Sequence, residues 1–83
     1  MKVRLSNRAN KALWRLPDAI QLRVHLALQN LEKDPPQGDI KRLQGSNLSR
    51  VRVGDYRILF GVDEGEIIIT DLGVRGQIYK RRN

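Results

Sequence analysis

The sequence predicts an α+β domain with the element order β-α-α-β-β-β, an antiparallel sheet carrying an N-terminal helical hairpin on one face. Three observations predict it. Apolar residues recur at helical spacing between Asn7 and Leu31, and strict period-two alternation takes over from Ser49 onward. Between them, Asp34 to Asn47 is rich in Pro, Gly and polar residues and reads as a connecting loop. A chain of 83 residues has room for one core, so residues 1–83 are expected to form a single domain.

The elements follow in order. Met1-Lys2-Val3-Arg4-Leu5 alternates charged and apolar side chains, so it reads as a short first strand and not as a leader peptide. Ser6 and Asn7 can cap the helix that follows, which carries Ala9, Ala12, Leu13 and Leu16 on one side. Trp14 on that helix is expected in the core, the alternative being an exposed apolar patch for a partner's helix. Pro17-Asp18 punctuates, with Asp18 as N-cap of a second helix. That helix places Ile20, Val24, Ala27, Leu28 and Leu31 on one stripe and stops before Pro35-Pro36. A link this tight makes the two helices an antiparallel hairpin.

Three strands then form a meander: Ser49–Val53, a turn at Gly54-Asp55, Tyr56–Val62, a turn at Asp63-Glu64-Gly65, and Glu66–Leu72. The final stretch from Arg75 to Asn83 is polar and ends as a short helix or a tail. Alternation assigns the faces. Val51, Val53, Ile58, Phe60 and Val62 point toward the helices, and Arg50, Arg52 and Arg57 fall together on the opposite, open face. Like charges opposed across a hairpin repel, so a face that collects three arginines is suited to binding an anion.

Composition narrows the functions. Lys and Arg number 16 against 9 Asp and Glu, a formal charge of +7, and the pI is about 10.6. Eleven of those cations are arginine, whose planar fork matches phosphate oxygens and never deprotonates. A polyanion is the expected partner. With no cysteine there is no disulfide framework, thiolate metal ligand or thiol nucleophile. The one histidine, His25, lies mid-helix and is expected on the surface, and no cluster has metal-ligand spacing, so neither metal nor cofactor is expected. No Gly-rich phosphate loop is present, and Ser6, Ser46 and Ser49 lack an adjacent base. No apolar run approaches a membrane span, so the expected location is the cytoplasm.

Phosphate chemistry driven by charge remains. Cleaving RNA through its own 2′-hydroxyl needs neither a protein nucleophile nor a metal. The protein has to align the attacking oxygen and stabilise the extra charge on the pentacoordinate phosphorus. Arginine suits the second task but cannot shuttle protons, which leaves Tyr56, Tyr79, Lys80 or a carboxylate such as Asp55 for that role. Tyr79 is either such a group, if nearby cations lower its pKa, or a packing aromatic.

Several segments together resemble one family. They are Lys41-Arg42-Leu43-Gln44-Gly45, the run Ser49-Arg50-Val51-Arg52-Val53-Gly54-Asp55-Tyr56-Arg57-Ile58-Leu59-Phe60, then Leu72-Gly73-Val74-Arg75 and Ile78-Tyr79. This pattern resembles the RelE/ParE toxin superfamily, and the helical hairpin in front is compatible with it. The resemblance implies the toxin half of a type II toxin–antitoxin module, held by a cognate antitoxin protein. In the RelE branch it implies a ribosome-dependent endoribonuclease that cuts mRNA in the A site. By motif position Arg57 would stabilise the transition state. Arg75 would assist it, and Tyr79 would orient or deprotonate the 2′-hydroxyl. Arg50 and Arg52, with Lys80 and Arg81, would hold the RNA backbone. Val74 stands where many members carry histidine, Gly76-Gln77 where a charged pair is common, Leu48 where a basic or aromatic residue is frequent, and Phe60 in place of a frequent tyrosine. These departures leave open the ParE branch, whose members inhibit DNA gyrase without cutting RNA, and an attenuated member that binds RNA.

Overall fold

Ser6 starts the helical part of the molecule. Its extended backbone precedes helix α1 (Asn7–Trp14), and its Oγ accepts the Ala9 N–H at 3.1 Å while donating to the Thr70 carbonyl at 3.0 Å. One hydroxyl therefore caps the helix and ties it to the sheet. Ser6→Ala is expected to lower stability by about 1–2 kcal/mol, read as a fall in the urea midpoint without a change in slope. Ser6→Thr, which keeps the hydroxyl, should retain most of it.

The chain is described here by a computed structural model covering residues 1–74. Strand β1 (Val3–Leu5) precedes α1. After it come α2 (Asp18–Leu31), β2 (Asp39–Arg42), β3 (Ser49–Val53), β4 (Tyr56–Asp63) and β5 (Glu66–Val74). The α+β class and the hairpin lying on one face agree with the sequence reading. Asp18 does not cap α2: Pro17 holds the N-cap position with an extended backbone, and Asp18 is the first helical residue. There its carboxylate sits at the positive end of the helix dipole, a favourable place for an anion.

The sheet has five strands in the order β1-β5-β4-β3-β2. Pairing is antiparallel except between β1 and β5, where Val3 faces Ile67 and Leu5 faces Ile69 in parallel. The stretch from Asp34 to Asn47 is not wholly a loop. It contains β2, which runs beside β3 from Asp39↔Arg52 to Arg42↔Ser49. Asp-Ile-Lys-Arg has one apolar residue and little strand propensity. It becomes a strand because β3 offers an unpaired edge, so local pattern could not reveal it.

A bulge interrupts β5. Leu59 faces Asp71 and Phe60 faces Ile69, which leaves Thr70 as an extra residue. Ile69 and Leu72, three residues apart, consequently reach the same core. That core joins Ala9 and Leu13 of α1 and Val24, Leu28 and Leu31 of α2 to Val51, Val53, Ile58, Phe60, Ile67, Ile69 and Leu72 of the sheet. Val62 was expected inward but is 59% exposed, whereas its partner Ile67 is buried. Alternation assigns a face without saying how far the covering helices extend along it. Among the described residues, no helix is long and apolar enough to cross a membrane.

Candidate nucleic-acid interface

Strands β3 and β4 meet at a two-residue turn, Gly54-Asp55, with Gly54 at φ +59°. That turn sets the register in which Arg52 stands directly opposite Arg57, while Arg50 lies two residues back along β3. The three arginines therefore share the face away from the helices, as the alternation predicts. Across such a pair the Cβ atoms are roughly 4.5–5.5 Å apart.

The face is less open than the sequence implied. Arg57 is only 7% exposed, and its neighbour along the same side of β4, Leu59, is fully buried. The Arg57 Nη1 has no hydrogen-bond partner among the described residues. Arg50 is engaged: its Nη1 donates to the Asp39 carbonyl and, at 3.2 Å, to the Asp39 carboxylate. Arg52 is exposed, with its Nε donating to the Gly54 carbonyl at 3.2 Å. One face thus carries a tethered cation, an exposed cation and a buried cation with an unused donor.

A buried guanidinium is costly unless its donors are satisfied. Arg57 has one such donor unused, and its permanent charge is of the kind that suits an oxygen gaining negative charge during reaction. Asp39 was missed as a partner because its segment read as loop. The only signal was its place on β2 opposite Arg52 and diagonal to Arg50, which exists only once β2 has paired. Asp71, which faces Leu59, is buried at 3% exposure, and its Oδ1 accepts the Leu72 N–H at 2.8 Å.

The remaining candidates divide as follows. Arg75, Tyr79, Lys80 and Arg81 lie outside the described residues. Tyr56 opens β4 and is half-buried, and Asp55 is exposed in the turn. His25 is exposed as expected, but Trp14 is not a core residue: it is 65% exposed on α1. Ala9 and Leu13 fill the buried side of that helix, and the next position around it faces outward. Among the described residues, no group of three or more His, Cys, Asp or Glu side chains could hold a metal ion.

Known proteins agree with this architecture. A chain of the RelB–RelE antitoxin–toxin complex of Methanococcus jannaschii superposes with a TM-score of 0.77 at 30% identity, over 95% of this chain and 98% of that one. The RelBE2 toxin–antitoxin complex of Mycobacterium tuberculosis gives 0.76 at 24% identity, over 89% and 96% of the two chains. The isolated RelE toxin of E. coli gives 0.76 at 16% identity, over 98% and 93%, a likeness of fold alone. Compared by sequence with curated proteins, the chain has no significant match. The model of the ParE toxin of the type II toxin–antitoxin system matches residues 3–79, nearly the whole chain. With that match over a RelE-like fold, this protein belongs to the RelE/ParE superfamily of type II toxin–antitoxin toxins.

Proposed function

We propose that this toxin is a ribosome-dependent endoribonuclease that cuts mRNA in the A site, and that Arg57 is the residue on which the chemistry turns. In the proposed step the ribose 2′-oxygen bonds to the adjacent phosphorus and loses its proton. The bond from phosphorus to the following 5′-oxygen breaks, and that oxygen takes up a proton. The products are a 2′,3′-cyclic phosphate and a 5′-hydroxyl. Between them lies a pentacoordinate phosphorus with one more negative charge than the substrate. Arg57 neutralises that charge from a fixed position. Arg52 holds the adjoining backbone, and Arg50 joins it by exchanging Asp39 for a phosphate. Arg75 and Tyr79 complete the catalytic set, with Tyr79 at the 2′-hydroxyl, and Lys80 and Arg81 extend the RNA contact. The observation that supports this reading is the buried Arg57 guanidinium with its unused donor, on the face away from the helices.

The cognate antitoxin is the second part of the proposal. Leu22 and Leu26, one turn apart on α2, are 63% and 54% exposed beside the exposed Arg23. An acidic amphipathic segment would meet both apolar and charged contacts there.

A gyrase-directed activity is the second reading, favoured by the ParE model that matches the chain. One experiment separates the two. The purified toxin is added to a translating extract and messenger 5′ ends are mapped, in parallel with a supercoiling assay. Codon-phased cuts with intact supercoiling support the nuclease. Intact messenger with blocked supercoiling sinks it.

A further inference from the structure

The outer side of α1 takes no part in the cleavage site just described, yet it carries an arrangement that the helix by itself does not favour. Arg8, Lys11 and Arg15 recur at spacings of three and four, which puts them on one stripe with a rise of about 10 Å from first to last. With Ala12 and Asp71 they line an open cleft of about 360 Å³. All three cations are exposed, and none forms an ion pair among the described residues. Asp71, in the same cleft, is one buried carboxylate against three cations, so the cleft stays net positive.

The charges oppose the helix. Arg8 is its second residue, where the positive end of the dipole disfavours a cation, and α1 has no acidic residue in its first turn. Like charges at these spacings repel as well. Trp14 lies about 60° around the helix from Lys11, 65% exposed. Its Nε1 donates to Asn10 Oδ1 at 3.2 Å, which holds the indole in place with its ring open to solvent. The pinned ring is thus next to Lys11, with Arg8 and Arg15 on the far side of that lysine. Cations with an exposed aromatic ring form the combination that binds unpaired nucleic-acid strands: charges follow the phosphates and the ring receives a base.

We infer that the outer face of α1 is a second RNA-contact surface, with Arg8, Lys11 and Arg15 on backbone phosphates and the Trp14 indole stacked against an unpaired base. This rests on the RNA-directed reading above and extends it from the sheet to the surface of α1. An acidic protein segment could meet the same cations, but it supplies no base to stack on the indole.

Trp14 is the only tryptophan in the chain, so indole emission reports this surface directly. The probe is an oligouridine of about ten nucleotides, titrated into the full-length protein. Saturable quenching is expected, weakening steeply with salt. Arg8→Gln/Lys11→Gln/Arg15→Gln should weaken binding at least tenfold and lower the log–log salt slope by about 2, since single strands contribute roughly 0.7 per phosphate contact. The three positions are exposed, and unchanged circular dichroism would establish that the variant is folded; the single Arg8→Gln, expected to lose about threefold, gives a milder check. Lys33→Gln, which removes an exposed cation outside both surfaces, should quench like the wild type. Absent quenching, or quenching that the triple variant preserves, overturns the inference. Equal quenching by polyglutamate of matched charge also overturns it and makes this an acidic-protein surface. Messenger cleavage without oligouridine quenching removes this surface alone, and quenching without cleavage removes only the nuclease reading.

Discussion

Arg57→Ala is expected to reduce messenger cleavage by at least a hundredfold while leaving stability within about 1 kcal/mol of the wild type. The loss follows from the role. Removing one preorganised donor from a developing oxyanion typically costs a factor of about 10²–10³, and a full cation in a sequestered position is worth no less. The small effect on stability follows from the burial. At 7% exposure, with Nη1 lacking a hydrogen bond among the described residues, the guanidinium carries a desolvation penalty of about 1–3 kcal/mol. Truncation removes that penalty but also removes the packing of the aliphatic stem, and the two offset. Urea unfolding and 5′-end mapping on the same preparation check both halves. Arg57→Lys keeps the charge and loses the fork, so it should fall between Ala and wild type in rate. A fall of several kcal/mol in Arg57→Ala would make the residue structural and defeat the assignment.

Leu31→Ala should do the opposite. Leu31 ends α2 with no exposed surface, inside the cluster shared by both helices and the sheet. Large-to-small changes at such positions cost about 2–5 kcal/mol. A chain of 83 residues has only about 4–12 kcal/mol in total. The melting temperature should drop by roughly 10 °C or more, measured on the chain alone because a bound antitoxin would mask the effect. Below that transition the variant should still cut messenger at nearly the wild-type rate, since Leu31 lies across the sheet from the arginines. A change under about 1 kcal/mol would mean that the α2 end does not hold the core.

The interface was legible in part. Alternation along Ser49–Val53 and Tyr56–Val62 was enough to place Arg50, Arg52 and Arg57 together, because successive side chains in a strand must point to opposite faces. The register, with Arg52 opposite Arg57, follows from the two-residue turn at Gly54-Asp55. The tether from Asp39 to Arg50 was not legible, because it depends on β2. Nor was the exposure of Trp14, since an aromatic ring is apolar enough for a core and polar enough for a surface.

The order of local preferences along this chain therefore determined its class, its helical hairpin, its meander and the shared face of three arginines. Those features repeat every two or 3.6 residues and need no distant partner. The tertiary structure alone decided that Asp39–Arg42 becomes a strand, that β1 joins β5 in parallel, that a bulge at Thr70 brings Ile69 and Leu72 into one core, and that Arg57 is buried. Each of these depends on what lies beside or above a segment after the chain has closed on itself. Edge pairing and burial belong to neighbours that no local period encodes.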